Sequence, residues 1–317
     1  MKTLFIGPRF YSYHKAIINE ISKSSDVIFY SEVPYGGKFY FGVKRFFPSK
    51  TNFLQRRYAE KLFNVIKTHC INQLFIIRGY GIDANLLKCV KLYNPNITII
   101  NCQWDAIANN PNGYNLSQWA DRNYTFDIKD AEAYNWNYLP LFYNWEKLNN
   151  SHVSIKKDID ILFVGAYHSN RSFKIKELNK YCIKNNINFK YYIYVPFYTY
   201  IRDFLFTHSI SFKDIKFRTL NRTKYILLLQ RSKSVLDIQY CNQSGLTIRT
   251  IEALSIGTKV ITTNPNILES ECYNKNNVFI WNEISYMKIN LFLRNSFDTS
   301  QKGLIDLHTW LKRMSVI

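Results

Sequence analysis

Three stretches of this sequence gather side chains fit to hold an anionic, hydroxyl-rich ligand. In residues 242–264, NQSGLTIRTIEALSIGTKVITTN, a small polar loop (Gln243, Ser244, Gly245) leads through Thr247 into a run with helical spacing at Ile248, Ile251 and Leu254. Gly257 stops that run, and 259–263 reads as a short β-branched strand. Free N–H groups and the positive dipole end of such a helix would face a phosphate. Thr247, Arg249 and Thr250 stand at its start, and Glu252 follows Gly245 by seven residues, where a carboxylate could take ribose or sugar hydroxyls. Glu252 equally suits an exposed or ion-paired helix position, and Arg249, three residues earlier, could be its partner. The second stretch is Gly165-Ala166-Tyr167-His168-Ser169-Asn170-Arg171. A glycine turn carrying His168 and Arg171 before a helix suits a diphosphate, through backbone N–H groups and a guanidinium fork. The third is Gln103-Trp104-Asp105, which puts an acid just past a buried run, where open α/β sheets bind ligands. Asp105 could instead cap the next helix.

The elements that must position these residues alternate along the chain. Residues 3–6 form a buried strand broken by Gly7-Pro8-Arg9; a helix over 14–21 and a strand over 27–30 follow, the opening of a doubly wound sheet. Further strands fall at 73–77, 97–102 and 124–127, with helices over 83–92 and 130–134, and a strand over 138–143 closes the first half. Residues 144–157 lack periodicity and read as a linker. The pattern then restarts with a strand at 159–164, a helix from about 172, strands at 189–195 and 234–238, a helix over 221–231, and a last strand at 278–281. Asp237 ends one of these strands, where it holds a ligand-facing residue or caps a turn. A terminal helix over 304–314 is amphipathic. The resulting division is 1–146, linker 147–157, second domain 158–290 and terminal segment 291–317.

Forty-two Lys and Arg against 23 Asp and Glu leave a formal charge of +19, which favours acidic partners, although a coding bias toward Asn, Ile, Lys and Tyr inflates lysine without any ligand. Hydrophobic residues at 47% supply ample cores and argue against disorder. The six cysteines, at 70, 89, 102, 182, 241 and 272, are scattered without a C-x-x-C pair, which fits a reducing compartment and no zinc site. Residues 1–7 carry too short an apolar run for a signal peptide, and no stretch of about 18 apolar residues predicts a spanning helix. Residues 38–61 hold seven basic residues and one acidic among Phe and Tyr, interrupted by Pro48. Such a stretch suits an anionic membrane surface, a nucleic-acid groove, or packing onto its own domain. The aromatic, basic stretch 198–216 is a second candidate for membrane contact or a lid.

The segment GLTIRTIEALSIGTKVITTN resembles the nucleotide-sugar segment of two-domain glycosyltransferases of the GT-B type. More narrowly, T-x-R-T-x-E-A-L preceded by Val235-Leu236-Asp237-Ile238, together with G-x-x-H-S-x-R at 165–171, resembles bacterial surface-polysaccharide transferases of the CgeB-like, lipopolysaccharide and capsule group. The likeness covers most of the chain, strongest over 158–171 and 234–264. It implies a GT-B fold, two Rossmann-like doubly wound domains facing across a cleft, with the terminal helix crossing back to the first. It implies metal-independent transfer from a nucleotide-sugar donor to a lipid-linked saccharide acceptor; the charge, the aromatics and the lack of a spanning run place the chain in the cytoplasm, peripheral on the anionic inner face of the plasma membrane. On this likeness Gly165, His168, Arg171, Gln243, Ser244, Gly245, Thr247, Arg249, Thr250 and Glu252 hold the donor, and Arg249 also neutralises leaving-group charge. Gly7, Arg9 and Trp104 line the acceptor side, and Asp105 or His14 is the general base; His14 also suits a cap on the first helix turn. Ser244 stands where many retaining members carry a second Glu, so the stereochemical outcome is not implied. Two other readings stay open: a non-catalytic basic and aromatic nucleic-acid binder, though no nucleic-acid partner is expected, and a degenerate GT-B protein that binds a nucleotide or glycan without turnover.

Overall fold

Runs of β-branched and aromatic residues alternate with amphipathic helices, and short polar side chains mark where each helix begins. The computed structural model describes residues 1–9, 11–35, 37–145, 155–167, 169–206, 215–240, 242–282 and 286–317. These form two units: Met1–Glu146 with Cys241–Leu246 and Ile305–Ile317, and Lys147–Tyr240 with Thr247–Leu304. The expected linker lies largely outside the described residues, as do 207–214 of the second aromatic stretch and His168.

The first unit contains β1 (Lys2–Gly7), α1 (Tyr13–Ile21), β2 (Asp26–Ser31), α2 (Gly37–Phe46), α3 (Pro48–Thr68), β3 (Gln73–Ile77), α4 (Ala84–Tyr93), β4 (Thr98–Gln103), α5 (Asn112–Ser117), β5 (Arg122–Thr125), α6 (Ile128–Tyr134) and β6 (Asn137–Tyr138). Its parallel sheet has the order β2-β1-β3-β4-β5-β6, so strand order reverses between β1 and β3. Both faces of a parallel sheet are buried, which is why β1 and β3 read as unbroken apolar runs. Leu4, Ile6, Leu74 and Ile76 meet Leu62 and Ile66 of α3 and Leu87 of α4. Pro48 begins α3 at a position that needs no N–H donor, so the basic stretch is two helices. Leu139, Leu141 and Phe142 are buried yet outside any strand. Pro140, lacking an N–H, cannot extend the ladder that β6 begins, which shortens the strand expected over 138–143.

The second unit contains β7 (Ile159–Ala166), α7 (Ser169–Lys184), β8 (Phe189–Tyr194), α8 (Phe197–Phe206), β9 (Ile215–Lys216), α9 (Arg222–Gln230), β10 (Ser232–Asp237), α10 (Ile248–Ser255), β11 (Lys259–Thr262), β12 (Val278–Ile280) and α11 (Tyr286–Arg294). Its order, β12-β11-β10-β7-β8-β9, is that of a dinucleotide-binding sheet, with the reversal between β7 and β10. Ile161, Phe163, Leu178, Leu236, Ile261 and Ile289 build its core. Asn221 caps α9 through a bond from the Lys224 amide (2.8 Å), and Thr247 caps α10. Gly257 has φ +75°, the left-handed conformation that ends α10 cheaply only with glycine.

The last helix, α12 (Leu307–Arg313), belongs to the first unit. Its Trp310 is fully buried against Phe142 (ring centroids 4.6 Å), Trp104 (5.8 Å) and Phe75 (6.2 Å). Burying a ring of this size contributes about 3 kcal/mol, enough to hold a short helix that local propensity would not.

Candidate functional site

In the second unit, the carboxyl ends of β7 and β10 meet at the strand-order reversal, where an open α/β sheet forms its ligand crevice. Asp237 ends β10 and is buried. Its carboxylate accepts from Arg249 Nη1 (2.6 Å), the Thr247 hydroxyl (2.8 Å) and the Thr250 hydroxyl (2.8 Å). Arg171, on the first turns of α7, donates to the carbonyls of Ala166 (3.0 Å) and Ile238 (2.8 Å). Both guanidinium groups lie over the ring of Phe163, Arg171 at 5.8 Å and Arg249 at 5.3 Å. A Cβ at Gly165 would come within 3.1 Å of Arg249 Nη2, so the glycine lets that guanidinium reach the turn.

Electrostatically the group is unbalanced. Two guanidinium groups stand near Asp237, Arg249 paired with it and Arg171 bonded to backbone carbonyls, and Arg171 Nε is buried without a hydrogen-bond partner. Burial, and then the charge of Arg249, push the Arg171 guanidinium down to about 10, while Asp237 pulls the other way. Arg171 therefore stays charged at neutral pH but is held at a cost, which a bound dianion would relieve.

Glu252 takes the ion-paired alternative, and the Gly245 loop departs from the donor-binding expectation. Glu252 is 1% exposed, and Arg222, at the start of α9, holds its carboxylate at 2.5 Å. Its carboxylate is buried in that ion pair and not open to ribose, and it does not pair with Arg249. Ser244 and Gly245 belong to the first unit, where their amides donate to Asp127 (2.5 and 3.0 Å) and the Ser244 hydroxyl also bonds that carboxylate. Asp127 additionally caps α6 through the Lys129 and Asp130 amides. Amides that bind a carboxylate are not offered to a phosphate, so the expected phosphate loop is a structural latch. Gln243 is half-buried in the same loop. A Cβ at Gly245 would lie 2.5 Å from the carbonyl oxygen of Phe126. Gly245→Ala is therefore expected to destabilise the fold by about 1–3 kcal/mol, read by denaturant titration.

In the first unit, residues that follow β1, β2 and β3 surround a cavity of about 430 Å³, lined among others by Arg9, Phe29, Glu32, Tyr58, Lys61 and Arg78. Glu32 is 3% exposed and ion-paired with Arg78, and it also accepts from the Tyr80 amide (3.5 Å). Arg78 reaches Asp105 Oδ2 at 3.3 Å, and the Tyr80 hydroxyl donates to the same oxygen at 3.3 Å. Asp105 is thus part of a charged cluster and caps no helix. Burial holds the Glu32 and Asp105 carboxyls above the usual range, against the pull of Arg78. Arg78 has φ +64°, a strained conformation for a side chain of its size.

His14 stacks on Phe29 (5.3 Å, 27°), which also carries Arg9 at 5.3 Å. Burial, then Arg9 and Lys15, lower the His14 imidazole, which is neutral at pH 7, and its Nδ1 is buried without a partner. The residue at the helix start is Ser12, so His14 is not the cap. Gly7 closes β1, where a Cβ would strike the Phe5 ring at 2.7 Å. Trp104, expected on the acceptor side, is 7% exposed and packs among Tyr13, Phe142 and Trp310, because an aromatic at this register faces the core. Glu32 and Arg78 were missed by the sequence reading, although each stands directly past a strand's carboxyl end.

Comparison with solved structures places this architecture. AviGT4, a glycosyltransferase involved in avilamycin A biosynthesis, matches with a TM-score of 0.62 at 11% identity, over 99% of this chain and 96% of that one. UDP-GlcNAc 2-epimerase of Methanocaldococcus jannaschii, solved with UDP-GlcNAc and UDP, matches with a TM-score of 0.60 at 11% identity, over 99% and 98%. The chain has the GT-B fold. The Neisseria meningitidis UDP-GlcNAc 2-epimerase, bound to UDP-GlcNAc, is a further GT-B neighbour, with a TM-score of 0.59 at 12% identity over 99% and 98%. No protein-family model and no curated protein sequence matches the chain. At these identities the likeness is one of fold, which GT-B transferases and epimerases share.

Proposed function

We propose that this chain is a glycosyltransferase that takes its sugar from a nucleotide-activated donor. The observation that carries the reading is the pair of guanidinium groups over the Phe163 ring at the strand-order reversal of the second sheet, Arg249 paired with Asp237 and Arg171 bonded to the Ala166 and Ile238 carbonyls. In this reading the donor's diphosphate bonds Arg171 and Arg249, with His168 three residues before Arg171 in sequence. As the bond from the anomeric carbon to the diphosphate oxygen breaks, charge grows on that oxygen and the guanidinium groups offset it. They supply the countercharge, so the reading invokes no metal ion. The acceptor hydroxyl attacks the anomeric carbon, and its proton passes to a carboxylate or imidazole of the first unit. Asp105 is favoured over His14 there, because Arg78 and Tyr80 orient its carboxylate and burial raises its proton affinity. Transfer to a lipid-linked or growing surface glycan rests on the likeness of 158–171 and 234–264 to surface-polysaccharide transferases.

The test is thermal stability with UDP, GDP, TDP, ADP and CMP, for the wild type and Arg171→Met. One nucleoside diphosphate at about 100 times its Kd should stabilise the wild type by about 2.7 kcal/mol and leave Arg171→Met unmoved. No response to any nucleotide would remove the reading. With the matching nucleotide sugar, release of nucleotide only when a saccharide acceptor is present supports transfer. Interconversion of the free nucleotide sugar would make the chain an epimerase, and binding without turnover a degenerate GT-B protein.

A further inference from the structure

The α2–α3 corner of the first unit exposes large apolar rings that neither candidate site uses. Phe46 is 72% exposed, Phe53 59%, and Phe39 and Phe47 56% each. The corner is nonetheless well anchored on its inner side. Tyr40 is fully buried, its hydroxyl accepts from Gln55 Nε2 (3.0 Å), and α3 is pinned to the sheet by Tyr58, Leu62 and Ile66. On the outer side Phe39 and Phe46 lie two turns apart on one face of α2, and a Cβ added at Gly42 between them would meet nothing within 4 Å. A coding bias that enriches Phe does not decide which rings face water, so the exposure calls for a partner.

The charge around these rings specifies that partner. Between Glu32 and Glu60 the sequence has no acidic residue and six basic ones, Lys38, Lys44, Arg45, Lys50, Arg56 and Arg57. At the chain's average of 23 acids in 317 residues, about two would be expected in those 27 positions. Lys50 Nζ sits 5.6 Å from the Phe47 ring centre, and the Arg57 guanidinium 5.4 Å from that of Phe53. Two of the exposed rings, Phe47 and Phe53, therefore have a cation at their side. That is the arrangement of an interfacial segment, in which rings enter the boundary between headgroups and acyl chains while cations meet lipid phosphates.

We infer that the α2–α3 corner is a docking surface for an anionic phospholipid bilayer. Phe46 and Phe47 insert, and Lys50 and Arg57 pair with headgroups. A single-stranded nucleic acid would use the same chemistry, but its stacking rings line a channel, whereas these project from a helix junction. The inference does not depend on glycosyl transfer.

Sedimentation with vesicles decides it. The full chain should bind vesicles of phosphatidylcholine with 30% phosphatidylglycerol at least tenfold more tightly than pure phosphatidylcholine. Phe46→Ser/Phe47→Ser should lose at least tenfold on the anionic vesicles, and Lys50→Glu/Arg57→Glu should lose the preference between the two. Both variants alter exposed side chains, so their melting temperatures should match the wild type, which separates lost docking from lost folding. Equal binding to both vesicle types, undiminished binding by the Phe variant, or retention on single-stranded DNA but not on vesicles would each overturn the inference. A wild-type dimer in solution that the Phe variant turns into monomer would also overturn it, by assigning the corner to a second copy.

Discussion

Asp237→Ala should destabilise the fold by about 3–5 kcal/mol, the usual cost of stripping one partner from a buried charge pair. Three donors lose their acceptor at once: Arg249, Thr247 and Thr250. The larger consequence is electrostatic, because Arg249 already depresses the Arg171 guanidinium and Asp237 is what opposes it. With the carboxylate gone, two guanidinium groups over one Phe163 ring lose the countercharge of Asp237. Inorganic diphosphate should then restore part of the loss and raise the variant's melting temperature more than the wild type's. Asp237→Asn isolates the charge. It keeps an oxygen for Arg249, and it raises the net charge of the group from one positive to two. Calorimetry should show that it binds diphosphate more tightly than the wild type, despite a lower melting temperature. If anions stabilise wild type and variants equally, Asp237 is structural and the guanidinium pair is no anion site.

What could be read in advance followed the range of the interactions. Strands such as β3 and helix starts such as Asn221 and Thr247 are set by side chains within a few residues, so periodicity and capping chemistry reveal them. Arg171 was legible for the same reason, since a glycine turn and the helix after it fix its place. Partner choice over long separations was not. The amides of Ser244 and Gly245 look free in sequence, yet Asp127 takes them from 117 and 118 residues away. Glu252 reads as either a ligand-facing or an ion-paired carboxylate, and its partner Arg222, on another helix, is not the nearby Arg249 that spacing suggests. Trp104 shows the converse error: a motif match put it beside a ligand, where three aromatic neighbours use it as core. The residues missed outright, Glu32 and Arg78, are 46 apart and acquire meaning only when β1, β2 and β3 align their carboxyl ends.

That pair supports the second strong expectation. Arg78→Met should cost about 3–5 kcal/mol at pH 8, and the deficit should shrink steadily as pH falls toward 5. Arg78 is the cation that Glu32 and Asp105 share, and removing it leaves two carboxylates close together in a buried setting. Both already stand above their usual range in the wild type, burial being the main cause and Arg78 the main restraint. Losing the restraint raises them further. A carboxyl raised in the folded state binds its proton before the unfolded chain does. Stability therefore grows as pH drops through the interval between the folded and unfolded values, and is lost again as pH rises through it. The variant has the wider interval, so the gap between the two melting curves must close on the acid side. Melting wild type and Arg78→Met in parallel at pH 8, 7, 6 and 5 measures that gap. A gap constant with pH would mean that Arg78 acts through packing, and Asp105 would lose the environment that recommends it as proton acceptor.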